Sequence, residues 1–237
     1  MKRLYIYIAM TVVVVAIVIV AILCITLYTI NFKNKNSVDR NYLMRVLNIS
    51  NSEDERILRE KSLLVSKSDE FLQDDIKRLI NTLKNTLLYS AGLSAIQVGI
   101  KKKIVVINWL GASRKVPYVK FPLVMINPEI VWHSDESIYV FEGCLSVPYN
   151  YKKIKIKNRR NFFIKRYSRV KVRYFDEDFN ERIIETGPKD QFFAECLQHE
   201  IDHLDGILYI DHLPEERREE IIRLNREYSN PTKGDDL

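Results

Sequence analysis

Gln-His-Glu-Ile-Asp-His, residues 198–203, is the stretch that decides how this chain is read. On a helix, His199 and His203 stand four residues apart, so both imidazoles leave the same face. About one turn of rise separates them, and a single metal ion can sit between them. Glu200 lies next to the first ring, close enough to exchange a proton with a water on that ion. His-Glu-x-x-His on a helix is therefore a metallohydrolase signature with a mechanism behind it. The plain alternative is a surface helix with two exposed histidines.

Two histidines do not close a metal site. A catalytic zinc-like site takes a third protein ligand and keeps one position open. The chain offers three cysteines, Cys24, Cys144 and Cys196. Cys196 precedes His203 by seven residues, about 10.5 Å of helical rise, too far for one ion to serve it and both histidines. It reads as a small buried hydrophobe. Cys144 lies in Phe-Glu-Gly-Cys-Leu-Ser-Val-Pro at 141–148. It follows a predicted strand and precedes a proline-bounded turn, and Gly143 before it lets backbone approach a ligand closely. A thiolate there would give the ion negative charge.

Three irregularly spaced cysteines argue against a disulfide framework and for a reducing compartment. The 237 residues suffice for one domain and an appendage, and the formal net charge is +6. That charge is uneven. Between Glu142 and Asp176 no acidic residue occurs, while Lys152, Lys153, Lys155, Lys157, Arg159, Arg160, Lys165, Arg166, Arg169, Lys171 and Arg173 do. The basic 152–173 strip would attract RNA, as on a ribosome, or an anionic membrane surface. The opposing reading is a solvated basic hairpin; no DNA partner is expected.

Residues 4–30 form an almost unbroken apolar run, longer than the roughly 30 Å hydrocarbon core of a bilayer. No small-residue cleavage pattern follows it. The expectation is a transmembrane or signal-anchor helix over 1–30, a polar linker over 31–53, a catalytic domain over 54–228 and a flexible tail over 229–237. The balance of basic residues slightly favours a single-pass membrane protein with the catalytic domain on the cytoplasmic side. Delivery to an organelle lumen after a cleaved leader is the alternative.

Periodicity predicts a helix over 69–90 with a stripe of Phe71, Leu72, Ile76, Leu79, Ile80, Leu83, Leu87 and Leu88. Strand-like runs follow at 103–109, 123–132, 137–141, 152–157, 169–175 and 182–185. Helices return over 188–204, stopped at Gly206, and over 215–228. The order implies an α+β fold, with antiparallel sheets packed around the helix that carries the His-Glu-x-x-His motif, preceded by the N-terminal hydrophobic helix.

Together these motifs resemble the peptide deformylases. Glu-Gly-Cys-Leu-Ser at 142–146 and Gln-His-Glu-Ile-Asp-His at 198–203 are similar to two motifs of that family. Ser-Ala-Gly-Leu-Ser-Ala-Ile-Gln-Val-Gly at 90–99 is similar to the third, although Ser90 stands where the family has glycine. Asp-Glu-Arg-Ile-Leu-Arg at 54–59 resembles the usual start of the domain.

The resemblance implies a hydrolase that removes the formyl group from N-formylmethionyl nascent peptides. It implies Cys144, His199 and His203 as metal ligands and Glu200 as general base and then acid. The Gln97 side-chain amide and the Leu145 backbone N–H would be the oxyanion donors. Gly92 and Gly143 would pair with substrate backbone, and Val140 and the helix before His199 would be walls of the methionine pocket, with Glu195 turned to solvent. The ligand chemistry alone suggests zinc; the resemblance favours Fe(2+), with zinc or nickel as substitutes.

Two rivals remain. A membrane-anchored zinc metalloprotease would take a ligand from Glu215, Glu216, Glu219 or Glu220 and would leave Cys144 and Gln97 without roles. A catalytically silent tether for RNA or ribosomes would not need the chemical residues, all of which are present.

Overall fold

The run Ile104-Val105-Val106-Ile107 is buried at all four positions. Successive side chains of a strand point to opposite faces, so such a run needs cover on both sides. Val105 and Ile107 join a core cluster with Phe193, Ala194, Leu197 and Ile201. Ile104 and Val106 join another with Leu72, Ile76, Leu79 and Leu83. A helix lies over each face.

The computed structural model describes residues 18–23, 26, 39–86, 90–108, 119–147 and 162–229. The chain divides into two units, Met1–Asp39 and Arg40–Leu237. In the second, helices α1 (Ser52–Leu58) and α2 (Leu72–Thr86) come first. Strands β1 (Gly92–Ser94), β2 (Ile104–Ile107), β3 (Leu123–His133), β4 (Ser137–Val140), β5 (Ile164–Tyr167), β6 (Val170–Phe175) and β7 (Glu181–Glu185) follow. Helices α3 (Gln191–Leu204) and α4 (Glu215–Ser229) close the described chain. One antiparallel sheet has the order β1-β2-β3-β6-β7, and β4 pairs antiparallel with β5. The architecture is α+β with antiparallel sheets.

Helix α2 forms for the reason its periodicity gives: Leu72, Ile76, Leu79 and Leu83 are buried on one stripe, and Asp74 and Asp75 stand in the first turn, where the helix dipole favours them. Phe71, expected on that stripe, is 68% exposed, because the helix begins one residue after it. Helix α3 is closed by the cap at Asp205 and then Gly206, whose φ is +74° and where a Cβ would lie 2.4 Å from the Arg59 carbonyl oxygen. Only glycine meets both demands.

Three expectations need correction. The expected localisation, a single-pass membrane protein or alternatively an organelle lumen after a cleaved leader, is not upheld: among the described residues no helix is long and apolar enough to cross a membrane. Of the apolar run 4–30, only residues 18–23 and 26 are described, as helix. The rest of the expected anchor lies outside the described residues, as do the expected strand 152–157 and residues 230–237 of the expected tail. Second, residues from Arg40 to 53 are not a tether. Leu47 and Ile49 are buried in a core cluster, and the Leu47 N–H donates to the Gln97 carbonyl at 2.8 Å. Their polar neighbours hid two anchors. Third, β1 and β5 were not anticipated; each is too short for alternation to show.

Candidate metal centre

Helix α3 is buried along most of its length and packs on the sheet through Phe193, Leu197, Ile201 and Leu204. The 3.6-residue period then puts Phe192, Glu195, Cys196, His199, Glu200 and His203 on a neighbouring stripe. The imidazoles of His199 and His203 stand edge to face, with centroids 4.9 Å apart. His203 Nε2 is 3.2 Å from His199 Nε2 and 3.3 Å from Cys144 Sγ. Cys144 arrives from the segment after β4, held in a turn by the Val147 N–H on its carbonyl.

One ligand atom from each of Cys144, His199 and His203 lies within 4.8 Å of the other two. The edges of a tetrahedron with 2.0–2.3 Å bonds measure about 3.3–3.7 Å. Two ring nitrogens and a sulfur, with two of their three separations at 3.2 and 3.3 Å and the third within 4.8 Å, in a largely buried place, fit a divalent ion with borderline-soft ligands. Burial pulls the His203 imidazole well below its ordinary range, whereas Cys144 and Glu142 hold His199 well above it against burial, so a bound ion would take the place of a proton on His199.

Glu142 holds the second nitrogen of His199. Its Oε2 lies 2.7 Å from His199 Nδ1. Burial pushes the Glu142 carboxyl up, but hydrogen bonds and charge from His199 and Arg166 outweigh it and leave the group lowered to about 2. Being ionised it can only accept, so Nδ1 carries the proton and Nε2 faces the cluster. Arg166 Nε and Nη2 donate to the two Glu142 oxygens at 2.7 and 3.0 Å, and Nη1 donates to Asp202 Oδ2 at 2.6 Å. Arg166 is 4% exposed at its side chain, so this member of the basic strip is an interior cation. Lys171 and Arg173 pair with Glu185 and Glu129. Residues 148–161, which carry six of the strip's eleven basic residues, lie outside the described residues.

Glu200 is buried, and burial raises its carboxyl above the ordinary range. Its Oε2 is 2.6 Å from Ser94 Oγ, and Oε1 faces Gly92, where a Cβ would come within 2.6 Å of it. Gln97 Oε1 accepts from the Ser94 N–H at 2.9 Å, which turns its amide nitrogen toward Cys144 Sγ (3.5 Å) and Ser146 Oγ (3.2 Å).

A cavity of about 270 Å³ opens on this cluster; Gly92, Gln97, Gly143 and Leu145 line it with Cys144, His199 and Glu200. Val140 does not: it packs against the cluster of Leu47, Ile49 and Phe162, and Phe141 lines the cavity in its place. Glu195 also lines it, contrary to the expectation of a solvent-facing side chain. The expectation treated a charge on a helix as a solvated one. Sequence reasoning passed over Ser94 and Arg166 as well. Glu142, two residues before Cys144, is a further residue of the site to which the sequence reading gives no role. Cys196 is buried, as expected, and takes no part in the cluster. Among the described residues no glutamate of α4 joins it either.

A helix-borne His-Glu-x-x-His closed by a cysteine from a loop, beside an open cavity, defines a metal-dependent hydrolase. Residues 46–219 match the family model described as polypeptide deformylase. A peptide deformylase of Bartonella quintana (strain Toulouse) is 42% identical over 170 residues, covering 70% of this chain and 84% of the relative. The crystal structure of peptide deformylase from Ehrlichia chaffeensis is 29% identical, with a TM-score of 0.64 over 80% of this chain and 98% of that one. A Met-Ala-Ser-bound crystal structure of a class I type b peptide deformylase from Acinetobacter baumannii is 26% identical, with a TM-score of 0.57 over 72% of this chain and 98% of that one. The chain belongs to the peptide deformylase family, and it is an enzyme that removes the N-formyl group from newly synthesised polypeptides.

Proposed function

We propose that Cys144, His199 and His203 hold the catalytic ion of this deformylase, that the ion is Fe(2+), with zinc or nickel as substitutes, and that Glu200 is the general base and then the acid. The observation that carries the ligand assignment is the convergence of Cys144 Sγ and the two Nε2 atoms. When bound, the ion supplies Lewis acidity and brings the ionisation of water near neutral pH.

Glu200 stands beside that point with a carboxyl that burial raises, suited to taking a proton and returning it to the departing amine. Ser94 orients it. The Gln97 amide and the Leu145 N–H border the cavity and would donate to the developing oxyanion of the formyl group; one such donor is typically worth ~10²–10³ in rate. Gly92 and Gly143 expose backbone for the peptide to pair with. Among the apolar walls, Phe141 and Phe192 suit the methionine side chain. The Acinetobacter baumannii protein, with Met-Ala-Ser bound, supports a short peptide as occupant of this cavity. The catalytic domain comprises the expected 54–228 together with the 40–53 segment packed upon it. The basic 152–173 strip would add a dock for the ribosome or an anionic membrane surface, carried by Lys152, Lys153, Arg159 and Arg160 rather than by Arg166.

The test is formate release from formyl-Met-Ala-Ser by the full chain purified without oxygen, beside Glu200→Gln and Cys144→Ala. The expected result is turnover by the wild type, loss of about 10²–10⁴-fold in Glu200→Gln with metal retained, and loss of the metal in Cys144→Ala. Full metal content in Cys144→Ala would overturn the ligand assignment.

A further inference from the structure

Strand β1 is an edge of the five-stranded sheet, and its Gly92 both lines the cavity and packs against Glu200. The Ala91 carbonyl accepts from the Asn108 N–H of the β2 side at 2.9 Å, and Gly92 stands opposite Ile107. In an antiparallel ladder, residues that bond across alternate with residues whose N–H and C=O face away. Gly92 therefore turns both its backbone groups to the open side of β1. Ser94, next in that set, obeys the same parity, since its N–H donates to Gln97 Oε1. The two groups of Gly92 are not bare. The Ser90 hydroxyl donates to the Gly92 carbonyl at 2.6 Å and stands 3.4 Å from the Gly92 nitrogen as its acceptor. Ser90 is half-buried, lines the cavity, and is held from α2 by its own N–H on the Thr86 carbonyl at 3.1 Å. One hydroxyl thus serves the donor and the acceptor that an added strand would serve.

We propose that the Ser90 hydroxyl is a removable cap on the peptide-binding edge, which a substrate displaces in order to pair with Gly92 and which therefore sets KM and not kcat. The inference rests on the deformylase reading and on Gly92 as a partner of substrate backbone. A peptide added to β1 brings an N–H to the Gly92 carbonyl and a carbonyl to the Gly92 N–H, whichever way its chain runs. Both would enter the place that the hydroxyl holds. Rotation of Ser90 about χ1 clears that place and turns the hydroxyl to water. An internal hydrogen bond of this kind is favoured over the water bonds that replace it by about two- to tenfold, so peptide binding is weakened by that factor. A ligand that reaches only Cys144, His199 and His203 leaves the cap in place and is not weakened.

The experiment measures KM and kcat for formyl-Met-Ala-Ser, and the inhibition constant of acetohydroxamate, with the full-length wild type, Ser90→Ala and Ser90→Gly, all loaded with the same metal. Acetohydroxamate offers a metal-binding group and no peptide backbone. KM and the inhibition constant do not depend on the fraction of protein folded. The expected result is a KM lower by about two- to tenfold in both variants, with kcat within about twofold and the inhibition constant unchanged. A KM that is unchanged or raised in either variant overturns the inference while leaving the deformylase reading in place, because the hydroxyl would then be idle or shared with the peptide. So does an equal change in KM and the inhibition constant, or a change in kcat beyond about twofold, either of which would place the effect in the shape of the site. Absence of turnover in the wild type would overturn both.

Discussion

The Glu142 carboxylate accepts a hydrogen bond from His199 Nδ1 at 2.7 Å, and this single contact fixes which nitrogen of His199 faces Cys144 and His203. Glu142 lies two residues from one member of the cluster in sequence and touches another in space. It thereby ties the loop after β4 to helix α3.

Glu142→Gln should weaken metal binding by about 10–100-fold, the usual scale for losing such a support. The amide oxygen can still accept from Nδ1, but the ring loses the charge that raises its basicity. Competition with a chromophoric chelator measures the affinity directly. Wild-type affinity in this variant would show that the contact does not organise the site.

Arg166→Met should cost stability outright. The guanidinium serves Glu142 and Asp202 together, and removing it leaves two buried or half-buried carboxylates without their cation. Breaking a buried pair on one side typically costs about 3–5 kcal/mol. The metal-free proteins should be compared by urea denaturation, so that metal loss does not enter. Adding Glu142→Gln to Arg166→Met should recover part of the loss, because it removes one stranded charge. Additive losses would contradict this account.

Arg166 also marks the limit of what the amino-acid order discloses. His199, Glu200 and His203 were legible because helical spacing alone brings them together. Cys144 was legible only beside a glycine and a strand end, with the family resemblance to decide it. In the sequence Arg166 is one of eleven cations in a basic run, and charge runs usually face water; nothing local distinguishes the one that pairing with β4 carries into the interior. Glu195 is a different failure. Its spacing to Phe192 and His199 already placed it on the ligand stripe, and a preference for solvating charges outweighed the geometry. Leu47 and Ile49 were hidden by polar neighbours, because two anchors in a dozen residues make no period.

Gly92→Ala should disable the enzyme without removing its ion. The added Cβ would lie 2.6 Å from Glu200 Oε1 and 2.7 Å from its Cγ. Glu200 cannot retreat freely, since it is buried and its other oxygen is held by Ser94 at 2.6 Å. A catalytic group displaced by about 1 Å can cost on the order of 10²-fold in rate. Metal content should stay near that of the wild type. Turnover within twofold of wild type would mean that Glu200 has room to move, or that its placement matters less than the proposed mechanism requires.

Asp54 gives a prediction far from the metal. In α1 its carboxylate accepts from Arg45 Nη1 and Nη2 at 2.5 and 2.8 Å, and from the Asn48 N–H at 3.0 Å. The Arg45 hydrogen bonds hold the Asp54 carboxyl below its ordinary range, against the opposing pull of burial. A depressed carboxylate stabilises the fold above its unfolded value of about 3.9, and that stabilisation is lost as pH falls through the folded value. Asp54→Asn should therefore cost about 1 kcal/mol near neutral pH, a modest figure because Arg45 is largely exposed and the pair is screened. The difference between variant and wild type should shrink steadily as the pH is lowered below about 4. Urea denaturation at several pH values measures it. The result also bears on where the folded unit begins, because Arg45 and Asn48 belong to the segment that composition marks as a tether. A stability difference that does not change with pH would place the origin of the effect in the packing of α1 instead of in this ion pair.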